Sequence, residues 1–135
     1  MNWSVEMEVQ GDILIATVTG DLKEGDYRAA RDKVCSYIKE NKVHNVLFDV
    51  RQAVLHISTI GIFSIAASYP EVIPPGTMYT IVYSSKSLPA ADFIFYENVA
   101  RNRGACLKVF SDIVEAKQWL IAESCGTLNG NEQKK

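Results

Sequence analysis

Between Trp3 and Val9 the chain alternates, with Trp3, Val5, Met7 and Val9 facing one way and Ser4, Glu6 and Glu8 the other. A period of two predicts a half-buried strand. Gln10-Gly11-Asp12 reads as a turn, since Gly takes a positive φ at no steric cost. Ile13 to Thr19 is β-branched and more fully apolar, which predicts the return strand of an antiparallel hairpin that ends at Gly20-Asp21. From about Glu24 to Glu40 the period changes. Tyr27, Ala30, Val34 and Ile38 recur at helical spacing, and Arg28, Arg31, Asp32, Lys33 and Lys39 are assigned to the solvated face. Asn41 marks the stop.

Asn45 to Val50 (NVLFDV) is a short apolar run, as expected of an interior parallel strand, with Arg51 to His56 a connection. Ser58 to Tyr69 (STIGIFSIAASY) is apolar or small on nearly every side and predicts a buried second helix. Pro70 and Pro74-Pro75-Gly76 end it in a rigid loop. Met78 to Tyr83 is the next strand, and Ser84 to Ser87 a polar loop with Ser87 the expected cap of a third helix. That helix carries Leu88, Ala91, Phe95 and Val99 at helical spacing and stops near Gly104. Cys106 to Phe110 is a fifth strand. Ser111 or Asp112 caps a last helix running to about Ser124, with Ile113, Ala116 and Leu120 inward.

The order β-β-α-β-α-β-α-β-α predicts an α/β fold: a mixed five-stranded sheet, parallel in its later part, with right-handed crossovers and helices packed on it. We expect one domain over 1–124 and a flexible C-terminal tail over 125–135, which is polar and rich in Gly and Asn.

Composition narrows the function classes. The 135 residues are 47% hydrophobic and 22% charged, a globular balance. A formal charge of −2 gives no field to draw nucleic acid. No apolar run reaches the roughly 18 residues of a membrane span, and MNWSVEMEVQ lacks the features of a signal peptide. Cys35, Cys106 and Cys125 are widely spaced and odd in number, which excludes a C-x-x-C metal or redox motif and suggests reduced thiols in a cytoplasmic protein. His44 and His56 lack metal-ligand spacing, so neither metal nor other cofactor is expected.

Candidate chemistry sits in three places. Ser58 and Thr59 open the second helix, where free N–H groups and the helix dipole favour an anion. Ser58 is either a plain N-cap or a phosphorylation and partner-binding site, at which phosphate would add about −1.5 to −2 charges. Asp49 and Arg51 lie two apart on a strand and share a side, where they would hold a polar ligand group or pair with each other. Ser84, Ser85 and Lys86 form a second candidate loop for a ligand or partner, a weak phosphate cradle without P-loop glycines or else a polar turn. A triad of Ser58, His56 and Asp49 lacks a nucleophile elbow, so no catalytic residue is assigned. Ile60, Ile62, Phe63, Ile65 and Tyr69 surround the second helix, as core or as an apolar patch for a dimer or a lipid-like ligand.

Val46 to Phe63, VLFDVRQAVLHISTIGIF, resembles the centre of STAS domains, the fold of anti-sigma-factor antagonists. Asp49 matches their strand aspartate and Ser58 their phosphorylatable serine; the Asp preceding that serine is Ile57 here, and the following Gly is displaced to Gly61. The hairpin segment ILIATVTGDL and the ending carried by Phe110, Glu115, Ala116, Trp119 and Leu120 are similar to the sporulation stage II AA-like (STAS/SEC14-like) bacterial family. The resemblance implies a non-enzymatic regulatory or protein-interaction module, switched by serine phosphorylation, with a protein partner or a second copy of itself, most simply a homodimer. A small-ligand or lipid carrier with an apolar pocket between the second and third helices is the alternative.

Overall fold

The computed structural model describes residues 2–122. The expected tail over 125–135, the domain end at 124 and Cys125 lie outside the described residues. A hairpin opens the fold: β1 (Trp3–Gln10) and β2 (Ile13–Lys23) pair antiparallel from Trp3↔Gly20 to Gln10↔Ile13. Helix α1 (Glu24–Asn41) leads to β3 (Asn45–His56), which is parallel to β2. Then come α2 (Thr59–Ala67), the short α3 (Tyr69–Val72), β4 (Met78–Val82), α4 (Ala90–Asn102), β5 (Cys106–Phe110) and α5 (Ile113–Ala122). The strands stand in chain order β1-β2-β3-β4-β5, with β2 to β5 parallel. Each right-handed crossover steps one strand the same way, so α1 to α4 gather on one face.

Strand periodicity builds two cores. Leu14, Ala16, Val18, Val46, Phe48, Val50, Tyr79 and Ile81 face the α1–α4 layer. Their neighbours Ile13, Ile15, Leu47, Met78 and Val82 face α5 through Ala116 and Leu120. Asp112 caps α5 as expected, accepting from the Val114 N–H at 2.7 Å.

Several expectations are corrected. Gly20-Asp21 does not end β2, which continues to Lys23, and β3 continues through the expected connection to His56. The two extensions pair from Thr19↔Gln52 to Lys23↔His56, after a bulge that places one extra residue in β3. Gly20 has φ +97°, and a Cβ there would strike the Asn2 carbonyl, so the glycine permits close approach of the chain start rather than a break. Tyr69 does not belong to α2 but opens α3, where Pro70 is tolerated in the first turn. Ser87 does not cap α4; its hydroxyl donates to the Val50 carbonyl at 2.6 Å. The buried face of α4 is Phe93, Tyr96, Val99 and Ala100 instead of the expected stripe, of which Val99 alone is fully buried. On β1, Trp3 and Val5 are half-buried, whereas Met7 and Val9 are exposed.

The two sheet edges differ. At β5, the Glu97 carboxylate accepts the Val109 N–H at 2.7 Å and Arg101 donates to the Leu107 carbonyl at 2.9 Å, so α4 satisfies an otherwise open strand. No side chain of another element does this for β1 among the described residues.

Candidate functional site

Ser58 stands just past the carboxyl end of β3, as the N-cap of α2. Its extended backbone (φ −74°, ψ 166°) turns Oγ over the first helical turn, where it accepts the Gly61 N–H at 3.1 Å. Ser58, Thr59 and Ile60 are exposed, Ile60 at 81%. A Cβ on Gly61 would meet the Glu24 carboxylate, so this glycine lets the start of α1 close over the start of α2. Glu24 pairs with Arg28 at 3.3 Å, and Arg28 donates to the Ser64 hydroxyl at 2.7 Å, tying the two helices together beside Ser58. The carboxylate and guanidinium thus sit against the first turn of α2, beside Gly61 and Ser64.

Asp49 and Arg51 do share a side, and they pair with each other. Arg51 Nε donates to Oδ1 at 3.0 Å, Nη2 to Oδ2 at 2.8 Å, and the Arg51 backbone N–H to Oδ1 at 3.0 Å. This bidentate pairing, more than any other influence, raises the guanidinium pKa. Alternation along β3 puts Asp49 with Leu47 on the α5 face, whereas α2 lies on the other. Asp49 is thus close to α2 in the sequence but on the other side of the sheet from it.

The Ser84–Ser87 loop is fastened to the extension of β3. Ser84 Oγ donates to the Arg51 carbonyl at 2.7 Å, Ser87 Oγ to the Val50 carbonyl, and the Leu55 N–H donates to the Ser87 carbonyl at 3.1 Å. With β4 ending at Val82, these bonds replace the missing ladder. Ser84 thus joins Arg51, while Ser85 and Lys86 remain exposed.

The feature sequence reading missed is Arg31, which is 2% exposed rather than solvated. Its guanidinium donates to the Ile65 carbonyl at 2.8 Å and the Ser68 hydroxyl at 2.9 Å, at the C-terminal end of α2, and lies 5.2 Å from the Tyr69 ring centre. A terminal carbonyl, a hydroxyl, the negative end of a helix dipole and an aromatic face take the place of a carboxylate. Burial opposes the charge, and the fields of Tyr69, Tyr96, Tyr27 and Tyr79 favour it, leaving the group firmly protonated. Around it the hydroxyls form a chain: Tyr27 donates to Tyr96 at 3.3 Å and Tyr96 to Tyr69 at 2.8 Å. Burial pushes all four phenols well above their usual range. The available signal was position: Arg31 follows Tyr27 by four and precedes Val34 by three, inside the apolar stripe.

Among the described residues no three His, Cys, Asp or Glu side chains gather as a metal site, and no helix is long and apolar enough to cross a membrane. Between α2 and α4, Phe63 stacks on Phe95 with ring centres 6.5 Å apart.

No protein-family model matches the chain, and no curated protein matches it. Solved structures do. It is similar to an anti-sigma factor antagonist from Mycobacterium paratuberculosis, with TM-score 0.63 and 12% identity over 88% of this chain and 94% of that one. SpoIIAA in its unphosphorylated form matches with TM-score 0.55 and 12% identity over 89% and 100% of the two chains. An uncharacterized Shewanella loihica protein with a SpoIIAA-like fold matches with TM-score 0.53 and 15% identity over 88% and 94%. The chain has the STAS fold, a mixed five-stranded sheet with helices packed on it.

Proposed function

We propose that this STAS-fold chain is a non-enzymatic regulatory module that recognises a protein partner through the start of α2, with Ser58 as a phosphorylation site and Thr59 in the same surface. The observation that carries the reading is the exposed Ser58 hydroxyl at a helix N-terminus, flanked by an Ile60 that is 81% exposed. Phosphate there would meet the free N–H groups of the first turn and the positive helix end. It would also sit near Glu24, whose repulsion would loosen the Glu24–Arg28–Ser64 link and free Arg28 for the phosphate. A change of charge is thereby turned into a change of surface.

Self-association accompanies the reading. The β1 edge carries exposed Met7 and Val9 and, among the described residues, lacks the side-chain cover that α4 gives β5, so a second copy is its natural occupant.

Ser58→Ala removes the cap and the phosphate acceptor at a cost of about 1 kcal/mol, whereas Ser58→Asp keeps an N-cap and adds charge. Intact mass spectrometry after incubation with ATP and lysate from cells that natively make the chain should find phosphate on Ser58 and none in Ser58→Ala. Partner affinity should differ between the Asp and Ala variants. Phosphate at other positions alone, or equal affinity of both variants, would overturn the reading.

A further inference from the structure

The outer edge of β1 carries a backbone pattern that fits one partner strand in one register. The Asp21 N–H donates to the Asn2 carbonyl at 3.0 Å, and the turn Gly11-Asp12 closes on the Gln10↔Ile13 pair. Both fix the same alternation in the antiparallel ladder. Ser4, Glu6, Glu8 and Gln10 turn their N–H and C=O groups toward β2, and Trp3, Val5, Met7 and Val9 turn theirs outward. Among the described residues nothing from another element meets these outward groups. The β5 edge is closed by Glu97 and Arg101, so head-to-tail growth from β1 to β5 is blocked and a closed two-fold pair remains.

The side chains are graded along the same edge. Trp3 and Val5 pack against the main core and Lys33 lies over the Trp3 ring at 5.9 Å, whereas Met7 is 37% and Val9 53% exposed. An antiparallel copy lays its exposed end beside this covered end. With Glu6 on the two-fold axis, Val5 faces Met7 of the second copy and Trp3 faces its Val9. Every outward N–H and C=O is then paired, and both exposed side chains are covered. Sliding the strands to put Val5 or Met7 on the axis runs Val9 or Trp3 past the end of the partner strand and loses a hydrogen-bonded pair of residues.

The cost falls on one side chain. Glu6 lies on the other face of β1 and meets Glu6 of the second copy across the axis, where facing Cα atoms stand about 4.5 Å apart. Glu8 faces Ser4. No cation pairs with Glu6 among the described residues: on that face Arg51 is taken by Asp49, and Lys117 of α5 contacts Gln10. The added hydrogen bonds and the cover of Met7 and Val9 outweigh one exposed like-charge pair.

We propose that two copies of the chain join β1 to β1 as one continuous antiparallel sheet, with Glu6 on the two-fold axis, and that the charge at position 6 sets how tightly they hold. This pairing rests on the self-association proposed above and gives it a surface and a register.

Sedimentation of the full chain over the micromolar to millimolar range should show a dimer. Met7→Pro removes an outward N–H that β2 does not use, so it should keep the circular dichroism of the parent and be monomeric. Glu6→Gln should tighten the dimer about threefold. An equal mixture of isotope-labelled parent and unlabelled Glu6→Lys should hold more heterodimer, by native mass spectrometry, than random pairing gives, because only the mixed pair sets a carboxylate against an ammonium. Under mild oxidation Glu6→Cys should cross-link faster than Val5→Cys or Met7→Cys, with the bond between two copies of the tryptic peptide 1–23, which has no native cysteine. A dimer that survives in folded Met7→Pro, random pairing with Glu6→Lys, or fastest cross-linking at position 5 or 7 would overturn this pairing while leaving self-association standing. A monomer at every concentration would overturn both.

Discussion

Removing one hydroxyl from the buried tyrosine chain should cost stability at one position and none at another, although the rings lie in the same core. Tyr96 both accepts from Tyr27 at 3.3 Å and donates to Tyr69 at 2.8 Å, and all three side chains are buried. Tyr96→Phe keeps the ring contacts with Tyr27 and Tyr69 but leaves two buried hydroxyls without it. Each such group costs about 1–3 kcal/mol, and partial relaxation brings the expected loss to about 3 kcal/mol. For a domain of this size that is a fall of roughly 10 °C in melting temperature. Tyr79→Phe deletes a buried oxygen with no hydrogen bond within 3.5 Å among the described residues, so its expected effect is close to zero. Urea denaturation at neutral pH, with the slope checked for constancy, measures both. Equal losses in the two variants would refute the reasoning, because ring packing alone would then govern this core.

Stability should also fall in alkali. Burial, above all, raises the pKa of Tyr27, Tyr69, Tyr79 and Tyr96 in the fold, so the folded state holds these protons more tightly than the unfolded state does. The contribution is fully present below the unfolded value of about 10 and is lost as pH rises through the folded values. Melting temperature against pH, with phenolate absorbance followed alongside, should show ionisation of these rings coinciding with unfolding; ionisation in the intact fold would contradict it. The Cys35 thiol, pushed up to about 11 chiefly by burial, should resist alkylation at neutral pH until denaturant is added, while the half-buried Cys106 reacts earlier. Equal rates, read by mass spectrometry, would rule this out.

The local pattern was enough for much of the fold. Alternation at Trp3–Val9 and helical spacing from Tyr27 to Ile38 follow from elements that bury one face, the apolar run NVLFDV from a strand buried on both, and each element appears where expected. Ser58 as a helix cap was legible for the same reason, since a hydroxyl before an apolar helix is a local signal. The ends of β2 and β3 were not legible. Gly20 and Arg51–His56 look like breaks in isolation, and they are strand only because the two extensions pair with each other across a bulge. Similarly, Leu88, Ala91 and Phe95 gave the wrong stripe for α4, because the neighbouring α2 and the sheet choose which side is covered.

By its sequence alone, the chain determined its element order, its turn chemistry and the hydroxyl that opens α2, all properties of neighbours along the backbone. Only the tertiary structure decided that Asp49 shares the α5 face with Leu47 while α2 packs on the other, that a charged Arg31 lies buried, and that the Tyr79 hydroxyl has no hydrogen-bond partner among the described residues. The reason is that charge and polarity state what a side chain costs to bury, whereas the groups that meet it come from distant segments. For Arg31 they are the Ile65 carbonyl and the Ser68 hydroxyl at the end of α2, more than thirty residues away, and no spacing in the sequence announces them.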